Sequence, residues 1–180
     1  MKLHLITPYW RSKNEDRNKE LERCEQINAT IFEKVTSPNI RATYLDLFNL
    51  CEDDCINVIA NSDIYFDQTI HLAQKIKEWQ CYAITRREGD IIHPKGHWSQ
   101  DVWIFRGKPK NLQIDTDFYL GVPGCDNRIA YLINKAGYHV INPVFSIHCF
   151  HLHKTQFRTY TKETKKIEPP YYLVRPIHLK

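Results

Sequence analysis

Glycine is missing from the one place where a phosphate-cradling loop would need it. The first strand-like run, "KLHLIT", leads into "TPYWRSKN" (residues 7–14), which holds no glycine, so a glycine-rich loop after the first strand is excluded. Long apolar runs are absent too. Nothing approaches the roughly 18 residues of a membrane-spanning helix, and "MKLHLITPYW" has one Lys, a short apolar stretch and no small-residue cleavage site, so no transmembrane segment and no secretory leader are expected. An excess of one charge is also lacking. A net charge of +4 with a pI near 8.7 tolerates a phosphate-bearing partner but lacks the dense basic face of nucleic-acid binders, so no nucleic-acid partner is expected. The six cysteines (Cys24, Cys51, Cys55, Cys81, Cys125, Cys149) fall at irregular spacings and read as reduced core thiols rather than a disulfide framework, which predicts a reducing, cytoplasmic location.

What is present is a chain of 180 residues, long enough to bury roughly 70% of its unfolded surface in one core. With 26% charged and 42% hydrophobic residues it is a globular composition. "KLHLIT" predicts a strand that Pro8 ends. Leu21, Cys24 and Ile27 predict an amphipathic helix over 14–30. "IFEKV" predicts a strand, and Tyr44, Leu47, Phe48 and Cys51 mark a helix over 43–51. Then come the strand "INVIA", a helix over 68–80 with Ile70, Ala73, Ile76 and Lys77 in register, and the strand "CYAIT". The stretch 86–100, with Gly89, Pro94 and Gly96, predicts a long functional loop. After it come the strand "DVWIFRG", the helix "DNRIAYLINKAGY" and the strand-like runs "HVINP" and "SIHCFHLH". This alternation predicts a single α/β Rossmann-like domain, its mostly parallel central sheet flanked by helices, with later strands added antiparallel.

In such sheets ligands bind beyond the carboxyl ends of the strands. That rule selects Thr7 to Trp10, Asn61–Ser62–Asp63, and Thr85 to Arg87, all rich in hydrogen-bonding groups. Asp63 suits a hard cation that would hold phosphate oxygens, although Asn, Ser and Asp equally suit a turn or helix cap. Arg86, with Arg87 as the spare, is a candidate partner for a departing phosphate, or else a solvated pair. Asp126 follows a Gly-Pro-Gly turn at a helix start, where an N-cap is the plain alternative. Asp101 lies between Trp98 and Trp103, whose faces could hold a sugar ring, while core packing is the plain alternative for Trp103. In "HCFHLH", a continuous strand would put Cys149, His151 and His153 on one face, which could hold zinc.

Through "HLITPYW", "RATYLDLF", "VIANSDIYFD", "AITRREG", "SQDVWIFRG", "FYLGVPGCDNRIAYLINKAGYHVINP" and "HLHKTQFRTY", the chain resembles the GT-A class of nucleotide-sugar glycosyltransferases, specifically the small single-domain family of bacteria and large DNA viruses. The resemblance implies a GT-A domain over 1–160 with a C-terminal tail at 161–180. It implies transfer of a sugar from a nucleoside diphosphate sugar, UDP-linked, to a glycan hydroxyl by single displacement with Mn²⁺ or Mg²⁺. Asp63 would ligate the metal with His153 or His151. Asn61 stands where the class carries an acid, which bears on the number of protein ligands. Asp126 would be the base, with Asp101 its rival. Thr7, Pro8, Tyr9, Arg41, Thr43, Tyr44, Asn61, Ser62 and Arg86 would bind the donor, and Trp98 and Trp103 the acceptor or sugar. A sugar nucleotidyltransferase and a non-catalytic carbohydrate- or nucleotide-binding module are the alternatives.

Overall fold

The computed structural model describes residues 1–9, 11–112, 115–155 and 164–179. Strand β1 (Lys2–Ile6) ends one residue before Thr7 and Pro8. It is followed by helix α1 (Glu15–Ala29), whose N-cap Asn14 accepts from the Arg17 N–H. Strand β2 (Lys34–Thr36) starts three residues later than the "IFEKV" pattern suggests. Helix α2 (Tyr44–Asn49) is closed by a capping box in which Thr43 and Asp46 satisfy each other's backbone donors. Strands β3 (Cys55–Ala60) and β4 (Ile64–Phe66) follow.

The helix expected over 68–80 is a 3-10 helix over Gln68–Lys75. It stops because Ile76 is extended (ψ 134°) and its N–H closes onto the Ala73 carbonyl, which takes Lys77 out of the predicted register. Strand β5 (Gln80–Ile84) leads into the 86–100 stretch. This is not all loop: β6 (Arg87–Glu88) and β7 (Ile91–Ile92) form a small hairpin around Gly89, whose φ of +61° suits glycine. The chain then builds β8 (Val102–Arg106), α3 (Cys125–Lys135), β9 (His139–Ile141) and β10 (Cys149–His151).

Six strands make the main sheet in the order β2-β1-β3-β8-β5-β9. All are parallel except β8, which runs antiparallel to both neighbours in the middle of the sheet. The expected late antiparallel strands are β8, which takes a central place in the main sheet, and β10, which pairs antiparallel with β4. A second, four-stranded sheet has the order β4-β10-β6-β7.

Both faces of the main sheet are covered, and the period-2 alternation of each strand divides the core between them. Leu3, Leu5, Ile56, Val58, Tyr82, Ile84 and Ile104 pack with Ile70 and Ala73 of the 3-10 helix. Ile6, Ile59, Cys81, Ala83, Trp103 and Phe105 pack against Leu47 and Phe48 of α2 and Ile129 and Ile133 of α3. All six cysteines are free and buried. No helix of the described residues is long and apolar enough to cross a membrane. The segment 164–179 lies along the domain: Ile167 N–H donates to the Pro123 carbonyl, Tyr172 N–H to Asn127, and Ile177 N–H to Asn142. The boundary expected at 160–161 falls within 156–163, outside the described residues.

Candidate functional site

Because β8 runs against its neighbours, its first residue lies at the edge where β3 and β5 end. Asp101 therefore arrives beside Asn61 and Arg86 although 40 and 15 residues separate them. The Asn61 N–H donates to the Asp101 carbonyl (3.2 Å) and its side-chain amide to Asp101 Oδ1 (3.0 Å). Arg86 Nη1 donates to both carboxylate oxygens of Asp101 (3.1 and 3.2 Å). Asn61 at the end of β3 is thus an amide that holds the carboxylate just before β8. Arg86 and Asn61 between them engage both carboxylate oxygens of Asp101.

Asp63 collects three cationic or ligating groups on one oxygen. Its Oδ2 lies 3.1 Å from His151 Nε2, 3.7 Å from His153 Nδ1 and 2.5 Å from Arg17 Nη2. Register explains the approach: β10 pairs antiparallel with β4, His151 opposite Ile64, so the residue after β10 hydrogen-bonds back to the Asp63 carbonyl. On its far side His151 Nδ1 meets Glu88 Oε1 at 2.8 Å, and Arg86 Nε donates to the same oxygen at 3.1 Å. Burial disfavours charge here, yet His151 and then Arg17 hold the Asp63 carboxyl well below the usual carboxylate range. Burial likewise opposes protonation of His151, but Asp63 and Glu88 outweigh it and raise its pKa.

One ligand atom each from Asp63, His151 and His153 fits within 4.8 Å. Glu88 on Nδ1 orients the His151 ring so that Nε2 faces Asp63, as carboxylates behind metal-binding histidines commonly do. Two imidazoles and one carboxylate suit a borderline ion such as Mn²⁺ better than Mg²⁺, which prefers oxygen ligands. Cys149 does not join them. Its Sγ points to the Thr85 carbonyl in the core, and β10 ends at His151, so the Cys-x-His-x-His face expected from strand alternation is replaced by a His-His-Asp group. A second group, His4, Glu52 and Cys55, is occupied by protein partners: both ring nitrogens of His4 bond to Asn57 and Thr36, and Lys34 pairs with Glu52.

Asp126 sits in the first turn of α3. It is not the cap, which is Gly124 in the left-handed conformation (φ +85°). A Cβ on Gly124 would come within 2.7 Å of the Ile167 carbonyl, so the tail packs onto this turn. Burial, and then repulsion from Asp101, push the Asp126 carboxyl up to about 7 despite the Cys125 thiol that donates to its Oδ1 at 3.0 Å, the Arg86 charge and the Gln100 N–H.

The remaining expected residues divide clearly. Thr7, Tyr9 and Ser62 line one narrow crevice with Ser37 and Asn28 between β1, α1 and the end of β2, and Thr7 Oγ1 is buried without a partner among the described residues. Pro8 is buried beside them and Trp10 lies outside the described residues. Trp98 is 43% exposed on the 86–100 stretch and has a face open. Trp103 has none: it is fully buried and packs edge-on against Tyr44, as befits a strand covered on both faces. Tyr44 is equally buried, its hydroxyl directed at Cys125 Sγ, so neither ring can meet a ligand. Arg41 lies over the Tyr119 ring at 4.5 Å, and Thr43 is committed to its capping box. Arg87 donates to the carbonyls of Asp90 and Val144 and holds the hairpin.

Two residues of the cluster escaped the sequence reading. Arg17 shares the buried stripe of α1 with Leu21, Cys24 and Asn28, and a charged residue on such a stripe is the signal of a buried partner. Glu88 carried no local signal; only the pairing of β6 with β10 brings it to His151.

No family model, curated protein or solved structure matches the chain.

Proposed function

We propose that the chain is a glycosyltransferase of GT-A type that moves a sugar from a nucleoside diphosphate donor, UDP-linked, to a hydroxyl of a carbohydrate. The observation that carries this reading is the convergence of Asp63, His151 and His153 at the carboxyl edge of the sheet, with Arg86, Asp101 and a raised-pKa Asp126 at that same edge. A divalent cation on the first three would supply positive charge against the departing diphosphate. Asp126 takes the proton of the acceptor hydroxyl. Its pKa near 7 makes it a stronger base than an ordinary carboxylate while leaving much of it ionised at neutral pH. The acceptor oxygen bonds to the anomeric carbon as the bond from that carbon to the diphosphate oxygen breaks. Arg86, fixed by Asp101 and Glu88, places a guanidinium where the leaving group gains charge. The nucleoside would lie over the carboxyl ends of β1 and β3, where Tyr9 and Ser62 offer polar groups, and Trp98 offers a stacking face to a sugar. The buried thiols fit a cytoplasmic location.

The test is a panel of nucleotide sugars with and without Mn²⁺, read as release of free nucleoside diphosphate. Release from one donor, lost in Asp126→Asn, is the expected result. No release from any donor together with no UDP binding by calorimetry removes the enzyme reading, and pyrophosphate formed from a nucleoside triphosphate would select the nucleotidyltransferase. Asp63→Ala abolishes Mn²⁺-dependent nucleotide binding on this reading; unchanged binding would reduce Asp63 to a partner of Arg17.

A further inference from the structure

At the opposite end of the main sheet, where the parallel strands begin, a cleft of about 290 Å³ opens beside Trp79. That volume is near the lower limit of the roughly 300–1,000 Å³ range of small-ligand sites. Trp79 is 44% exposed and stands in the left-handed region (φ 59°), where a bulky side chain is a genuine outlier. Its carbonyl accepts from the His139 N–H at 2.8 Å and its ring leans on Tyr138 at 5.2 Å, so the strained backbone is held by β9 and an indole face is left at the cleft. Such outliers persist only where the surrounding structure over-determines them, and they cluster at ligand sites.

Opposite the indole, "RGKPK" continues from β8 with an alternation that exposes Arg106, Lys108 and Lys110 and buries Gly107 and Pro109. Gly107 is required there: φ is +70°, and a Cβ would meet the Asp53 carbonyl at 3.2 Å. None of the three cations forms an ion pair among the described residues. The carboxylates of Asp53 and Glu78 also line the cleft, so its side chains carry one net positive charge rather than the many a polyphosphate or nucleic acid would need.

We infer that this cleft is a second binding site, for a saccharide carrying a single carboxylate: the Trp79 face takes the ring, Arg106 and Lys108 take the acid group, and Asp53 and Glu78 accept from hydroxyls. An indole face provides the apolar platform a sugar ring's C–H side needs, and an Arg fork suits a carboxylate. The inference does not depend on the glycosyl-transfer reading.

Titration calorimetry of the full chain with cellobiouronic acid, cellobiose and inorganic phosphate tests it. Saturable binding of cellobiouronic acid is expected, at least tenfold weaker in Trp79→Ala and in the doubly substituted Arg106→Gln/Lys108→Gln, with cellobiose at least tenfold weaker and Asp63→Ala binding as the unaltered protein does. Arg106 and Lys108 are exposed, so their variant folds even where Trp79→Ala does not. Failure of cellobiouronic acid to saturate, equal binding by the Arg106/Lys108 variant, equal affinity for cellobiose, saturation by phosphate alone, or loss of binding in Asp63→Ala each overturns the inference.

Discussion

Replacing Asp126 by Asn separates two quantities that an ordinary site mutation confounds. The Asp126 carboxyl rises from 3.8 to about 7 in the folded chain, so the folded state holds its proton more tightly than the unfolded one between those values. Stability therefore falls as pH rises from about 4 to about 7 and levels off above. At 1.36 kcal/mol per pH unit, the full cost of ionising this group at pH 8 is at most about 4 kcal/mol. The amide is close in shape, keeps an oxygen for the Gln100 N–H and carries no charge for Asp101 to repel. Asp126→Asn should thus be indistinguishable from the unaltered protein in urea unfolding at pH 4 and more stable by up to about 4 kcal/mol at pH 8. Turnover moves the other way. Loss of a general base costs about 10²- to 10⁴-fold, and in the unaltered protein the rate should climb through pH 7 as Asp126 ionises. The assay pairs urea melts at several pH values with nucleoside diphosphate release. A stability change of the same size at every pH, or undiminished turnover, would refute the reasoning.

Other outcomes follow from the cluster around Asp63. Glu88→Gln frees the His151 ring from its orienting carboxylate and should weaken Mn²⁺ binding about 10- to 100-fold, read by electron paramagnetic resonance of free Mn²⁺; unchanged affinity would deny Glu88 a positioning role. Arg17→Met removes the cation that competes for Asp63 Oδ2, so Mn²⁺ should bind more tightly, and weaker binding would show that Arg17 helps assemble the site instead. The lowered carboxyls of Asp63, Glu20 and Glu88 contribute stability that is lost as pH falls through their ordinary range near 4. The raised His151 contributes stability lost as pH rises through its folded pKa, above 6.5. With Asp126 losing stability from about pH 4 upward and His151 above its ordinary value, thermal melting should peak at roughly pH 4–4.5 and decline toward pH 8; a maximum at pH 8 would contradict both assignments.

The layered α/β arrangement could be read from the sequence because the sheet is apolar on both faces and its strands are continuous apolar runs such as "INVIA". The same property decides Trp103: the neighbouring Asp101 made its ring a candidate sugar platform, but a strand buried on both faces leaves no ring open, and the core-packing alternative holds. Asp63 and His151 were visible as residues that strand ends leave unexplained. Their meeting was not, since it depends on β10 inserting between β4 and β6, a pairing that no local pattern encodes. The 3-10 helix escaped because Ile70, Ala73 and Ile76 sit at a spacing of three, which both helix types satisfy.

The distances in sequence that separate the partners of the cluster set when it can form. Arg17 and Asp63 are 46 residues apart, Glu88 and His151 63, and Asp63 and His151 88. Each contact closes a long loop before it returns any energy. The cluster is therefore expected to be complete only once β10 has entered the small sheet. Until that moment Asp63 faces Arg17 alone, and a chain stopped before Cys149 has the strands of the main sheet but neither histidine.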